Sequence, residues 1–154
     1  MTERRTRVLF VCTGNSARSQ MAEALLRWAY GGRFDVASAG TAPQPVHPLT
    51  IRALAGIGVD GAGARSKSVN ELLGQSFDYV ITVCDDAREA CPVFPGEAAR
   101  EHWSLEDPAR ATGTEAERLA AFERIRDEIA TRLAAFVAAI RGPGEPEHGV
   151  EVGR

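Results

Sequence analysis

The apolar positions of the chain alternate between short unbroken runs and longer stripes at helical spacing. Val8-Leu9-Phe10-Val11 is continuous and apolar between Arg7 and Cys12, and reads as a buried strand. Met21, Ala22, Leu25, Leu26 and Ala29 then form one stripe, predicting a helix from about Ala17 to Tyr30 that stops at Gly31-Gly32. Phe34 to Ala39 predicts a second strand, and Gly40 to Pro48 a proline-rich loop. Pro48 suits the first turn of a helix running to about Gly56, which makes His47 a loop or capping residue. Ser68 to Leu73 predicts a short helix. Tyr79-Val80-Ile81-Thr82-Val83 is apolar and β-branched and predicts a third strand. A weaker extended segment lies near His102-Trp103. Leu119, Phe122, Ile125, Ile129, Leu133, Phe136 and Ile140 recur every three or four residues, predicting a last helix from about Thr114 to Ile140 whose stripe packs in the core. Gly142 to Arg154, rich in Gly, Pro and Glu, is expected to be a disordered tail.

Strands alternating with helices imply an α/β fold, with a parallel sheet covered on both faces. The expectation is one three-layer domain over residues 1–141, followed by the tail over 142–154. Such sheets bind ligands beyond the carboxyl ends of their strands, and Cys12 and Cys84 both fall there.

Composition narrows the function. A chain of 154 residues with 44% hydrophobic and 25% charged residues is long enough for a real core. Its net charge of −3 gives no general attraction for nucleic acid or membranes, so any anion site must be built locally. Nothing approaches the ~20 apolar residues of a membrane span. The charged start is followed by too short an apolar run for a signal peptide, so a cytoplasmic protein is expected. Three cysteines cannot all pair, and thiols stay reduced in that compartment.

The first loop, Cys12-Thr13-Gly14-Asn15-Ser16-Ala17-Arg18-Ser19, joins a buried strand to a helix. A tight turn there aims backbone N–H groups into one concavity, which is an anion site even without side chains. Arg18 adds a planar fork for two oxygens of a tetrahedral oxyanion. Cys12 sits at the base, where amides and the helix terminus favour a thiolate nucleophile. Ser19 is placed to donate a hydrogen bond to that sulfur. Asn15 suits a left-handed backbone position. The Gly-Lys-Ser/Thr ending of a nucleotide-binding loop is missing.

Cys84 and Cys91 lie seven residues apart. On a regular helix they share a face with Cα atoms about 10.5 Å apart. A disulfide needs less than ~7 Å, so the pair can bond only if the segment unwinds. Pro92 and four intervening charged residues weaken such a helix, and the spacing reads as a redox switch. Two unrelated thiols, or two zinc ligands with His102, are the competing readings.

The segment from Val8 to Glu23 resembles the signature of the low-molecular-weight tyrosine phosphatase superfamily, which holds both phosphatases and thioredoxin-coupled arsenate reductases. The reductases carry a matching cysteine pair followed by a His-Trp…Asp-Pro-Ala stretch, here His102-Trp103 to Asp107-Pro108-Ala109. Ala109 stands where typical phosphatases have an aromatic residue. The resemblance runs from Arg7 to about Ile140 and implies a central four-stranded parallel sheet flanked by helices. It further implies arsenate reduction for arsenic detoxification, with Cys12, Arg18, Ser19, Cys84, Cys91 and Asp107 catalytic. Thr13, Gly14, Asn15, Ser16, Ala17 and Arg18 would bind the oxyanion. Cys84 attacks Cys12, Cys91 resolves, and thioredoxin or a similar dithiol protein reduces the product, with no bound cofactor or metal and a monomeric enzyme. Asp107 would be the general acid; as a residue before Pro108 it also reads as a turn or cap residue. Asp85, Asp86 and Glu106 read as solvated or capping carboxylates. Some relatives hold potassium through Asn, Glu, Ser and Asp. Asn15, Glu23 and Ser38 match, but Lys67 stands at the Asp position, implying no potassium requirement. A phosphatase for aryl phosphates, acting through a phosphocysteine at Cys12, is the main alternative, and a non-enzymatic oxyanion or arsenite sensor the third.

Overall fold

The computed structural model describes residues 4–141. The disordered tail expected over 142–154 lies outside them. The order is β1 (Thr6–Cys12), α1 (Arg18–Tyr30), β2 (Phe34–Gly40), α2 (Pro48–Ala55), β3 (Tyr79–Thr82), α3 (Asp85–Ala90), β4 (Ala99–His102) and α4 (Glu115–Arg141). Short 3-10 turns occupy Val69–Leu72 and Pro108–Arg110. The strands form one parallel sheet in the order β2-β1-β3-β4.

The unbroken run Val8 to Val11 marks β1 as an inner strand. All four side chains are fully buried, between β2 on one side and β3 on the other. The stripe on α4 buries Phe122, Ile125, Ile129, Leu133 and Phe136. Phe136 meets Phe34, Tyr79 and Trp103, so this helix closes over the sheet. β2 lies to one side of β1 while β4 lies to the other side of β3. Right-handed crossovers in opposite directions then put α1 and α3 on opposite faces and open a crevice between the carboxyl ends of β1 and β3. Cys12 ends β1, and Cys84 follows β3 by two residues.

One element is placed only in part by the sequence. The last strand is Ala99–His102, which ends in the extended segment expected near His102-Trp103 but begins three residues before it. It is an edge strand with three exposed residues, so it carries no apolar run to reveal it. Trp103 instead turns into the core against Phe10.

Candidate active site

The loop after β1 is shaped by where its carbonyls go. Cys12 O accepts from Thr41 N, Thr13 O from Ala42 N, Gly14 O from Gln44 N, and Ser16 O from His47 N. Asn15 O accepts from Gln20 Nε2 and Ala17 O from Met21 N. Every carbonyl from Cys12 to Ala17 is thus drawn away from the loop's hollow. Peptide planes are rigid, so the N–H trans to each carbonyl is turned the other way, into the hollow. Asn15 takes φ +48°, the left-handed position expected for it. The segment after β2, a bare proline-rich loop in the sequence, is therefore the template that shapes the Cys12 loop. His47 caps α2, its Nδ1 accepting from Leu49 N, as expected.

Gly40 allows this clasp to close. A Cβ there would stand 2.5 Å from Thr13 O and 3.0 Å from Asn15 N. Neither backbone atom can yield without moving the loop. Gly40→Ala should therefore cost about 1–3 kcal/mol, measurable as a lowered urea midpoint at unchanged slope. A midpoint equal to wild type would show that the clasp is looser than described.

Inside the loop, Cys12 Sγ lies 2.8 Å from Ser19 Oγ and accepts from Asn15 N at 3.1 Å. Asn15 Nδ2 donates to Ser19 Oγ at 2.8 Å and to Ser38 Oγ at 2.9 Å. Ser19 Oγ is thereby an acceptor towards Asn15, which leaves its own hydrogen for the sulfur. Arg18 is largely buried, its Nη1 donating to Leu105 O at 3.0 Å and its Nη2 3.8 Å from Asp107 Oδ2. Asp107 Oδ1 accepts from Ala109 N, so this carboxylate is both the cap of a 3-10 turn and a wall of the site. The hollow over Cys12 measures about 290 Å³, with Ala42, Gln44 and Ala109 on its outer walls.

A second hollow of about 560 Å³ shares Thr13, Arg18 and Asp107 with the first and extends to Cys84. Thr13 Oγ1 lies 3.3 Å from Cys84 Sγ, joining the loop to the second cysteine. Cys84 and Cys91 do not share a helix face: they are the N-cap and C-cap residues of α3, both extended, with six helical residues between them. All three cysteines are free thiols. Cys91 is half-buried, and that burial pushes its thiol up from the usual range, partly offset by Arg100. The structure does not gather His102 with Cys84 and Cys91 into a group that could hold a metal ion. Both ring nitrogens of His102 are engaged, Nδ1 with Thr82 Oγ1 and Nε2 with Asp85 Oδ1, each at 2.7 Å. Among the described residues no cluster of His, Cys, Asp or Glu could hold a metal.

Residues 7–144 match the low-molecular-weight phosphotyrosine protein phosphatase family. The chain belongs to this family. An arsenate reductase of Bacillus subtilis is 42% identical over 129 residues, covering 84% of this chain and 93% of that protein. A solved arsenate reductase in the oxidized state superposes with a TM-score of 0.75 at 30% identity, covering 88% of this chain and 98% of that one. A thioredoxin-dependent arsenate reductase of Corynebacterium glutamicum gives a TM-score of 0.66 at 30% identity, covering 92% of this chain and 64% of that one.

Behind the loop of this family member, Ser38 Oγ donates to Glu23 Oε1 at 2.5 Å. Lys67 Nζ lies 3.8 Å from the same oxygen and donates to Arg65 O, while Arg27 pairs with Glu23 Oε2 at 2.6 Å. The carboxylate is already flanked by two cations, and this residue set does not fit a bound potassium ion. Gln20 was missed in the sequence. It holds both oxygens of Asn15 and also Arg65 O, at 3.0–3.1 Å. Gln20 follows Arg18 and Ser19 at the start of α1, so its residue type alone carries no signal for this role. No helix among the described residues is long and apolar enough to cross a membrane.

Proposed function

We propose that this chain is an arsenate reductase working through a relay of three thiols. The Cys12 thiolate attacks As(V) in the loop, forming an S–As bond, while Asp107 protonates the oxygen that departs as water. The Cys84 thiolate then attacks Cys12 Sγ. An S–S bond forms, the S–As electron pair goes to arsenic, and As(III) leaves as arsenite. Cys91 attacks Cys84 Sγ, releasing the Cys12 thiolate and leaving a Cys84–Cys91 disulfide. A dithiol protein of the thioredoxin type reduces that bond, so the electrons come from outside and the chain needs no bound cofactor. Each step uses one chain, which suits a monomer in a reducing cytoplasm.

The observation that carries this reading is the Thr13–Cys84 contact, which holds a second thiol at the mouth of the anion loop. The outer walls add to it. Ala42, Gln44 and Ala109 offer an aryl ester no ring to stack on, whereas arsenate needs only the loop and Arg18. The named relatives support the same substrate. The direct assay is arsenate-dependent NADPH oxidation with thioredoxin and its reductase, run beside hydrolysis of p-nitrophenyl phosphate. Oxidation that follows arsenate supports the reductase. Ester hydrolysis without arsenate-dependent oxidation would make the protein a phosphatase.

Two further outcomes are expected. Asp107→Asn should lower kcat about 10²–10³-fold, since the amide cannot give up a proton to the leaving oxygen. An unchanged kcat would leave Asp107 only its capping role. Potassium should not activate the enzyme over sodium at equal ionic strength, because the Lys67 ammonium already faces Glu23. A potassium-specific rise in rate would contradict that.

A further inference from the structure

Resting on the relay above, we infer that Asp85 and His102 form a clasp that holds the switch helix wound and so sets the equilibrium of the Cys84–Cys91 pair. α3 has six residues, far below the ~12–15 at which an isolated helix becomes even marginal. Only Ala87 of the six is buried, so little packing holds it. Its first residue, Asp85, follows Cys84 directly. The Asp85 carboxylate takes His102 Nε2 at 2.7 Å and Ser104 Oγ at 3.3 Å. His102 is in turn fixed from its other side by Thr82 Oγ1 at 2.7 Å, and Thr82 and His102 are register partners in the sheet. A line of side chains thus runs from β3 through β4 to the start of the helix. His102 is mostly buried while Asp85 is exposed, so one end of the line is anchored and the other is free to leave. The His102 contact also holds the Asp85 carboxyl below its usual range.

The direction of the effect follows from geometry. The dithiol form keeps α3 between the two cysteines. The disulfide form brings their Cα atoms within ~7 Å, which a regular helix of this length forbids. Unwinding carries Asp85 away from His102. The clasp therefore binds one state and not the other, and biases the equilibrium toward the dithiol. A hydrogen-bonded pair with one exposed partner is worth a few-fold in an equilibrium constant. Asp85 and His102 are positioning residues here and touch no substrate.

The test is a redox titration of the full chain against oxidised and reduced glutathione. Each Cys84–Cys91 disulfide formed consumes one oxidised glutathione and releases two reduced. Acid quenching and peptide mapping report the fraction of that disulfide. Asp85→Ala and His102→Gln should each raise its equilibrium constant about three- to fivefold, and the double variant no further than either single one. Asp86→Asn, in the same helical turn, should leave it unchanged. Equal constants in wild type and both single variants would overturn the clasp. So would an effect of Asp85→Ala without one of His102→Gln, which would reduce Asp85 to a charge at a helix end. Absence of any Cys84–Cys91 disulfide in the wild type would instead overturn the relay. Near-ultraviolet circular dichroism of each variant, matching wild type, keeps a folding defect from passing as a shifted constant.

Discussion

Cys12→Ser should abolish arsenate reduction, with a loss of at least about 10⁴-fold in kcat/KM. A serine hydroxyl at this position is a far weaker nucleophile than a thiolate, and its oxygen cannot pass on to a disulfide. The two roles proposed for Cys12, attack on arsenic and acceptance of Cys84, would vanish together. Binding should survive, because the hollow is made by backbone amides and Arg18 and not by the sulfur. Cys12 is 2% exposed and serine is of similar size, with Ser19 Oγ and Asn15 N at hand to bond its hydroxyl. The expected result is a folded protein that binds phosphate or arsenate within a few-fold of wild type, by calorimetry, and does not turn over. Turnover within tenfold of wild type would mean that another thiol starts the chemistry.

Cys84→Ser should be nearly as damaging to multiple turnover, at least about 10³-fold, yet for a different reason. Attack of Cys12 on arsenate is left intact, but the adduct has no neighbouring thiol to take the sulfur. What is lost is the advantage of holding the second nucleophile beside the first, which commonly exceeds ~10³ M in effective concentration. Thr13 Oγ1, 3.3 Å from Cys84 Sγ, is the contact that holds it. Hydrolysis of p-nitrophenyl phosphate, if wild type shows it, should stay within a factor of about three. Steady-state arsenate assays beside ester hydrolysis separate these outcomes. Full arsenate turnover by Cys84→Ser would break the relay at its second step.

Much of the fold is legible in the sequence alone. The run Val8 to Val11 marks a strand buried on both faces, and the stripe on α4 marks the helix that covers it. Gly14 and Asn15 mark a tight strand-to-helix loop, and Asn15 takes the left-handed position expected of it, while anion binding by Cys12, Arg18 and the loop amides belongs to the proposal. Other features were hidden for equally physical reasons. The outward pull on the loop's carbonyls comes from backbone N–H groups of Thr41, Ala42, Gln44 and His47, and backbone groups leave no trace in residue type. β4 carries Ala-Arg-Glu-His at a sheet edge, where nothing demands apolar side chains. The spacing of Cys84 and Cys91 predicted a switch, but not that the cysteines cap the helix from both ends. That arrangement suits the proposed switch, because extended caps would be released by unwinding six residues, with no need to break a longer helix. Asp85, read as a solvated or capping carboxylate, gains a partner only because β3 and β4 pair in the register that sets His102 beside Thr82.

In the proposed relay two electrons leave through Cys84 and Cys91 while Cys12 returns unchanged. One measurement tests it most directly. Fully reduced protein is mixed with excess arsenate and no reductant, quenched in acid with a thiol-blocking reagent, and mapped by mass spectrometry while arsenite is counted. The relay predicts one arsenite per chain, a disulfide joining Cys84 to Cys91, and Cys12 recovered as a blocked free thiol. Three free thiols with no arsenite, or a terminal disulfide that retains Cys12, would contradict it.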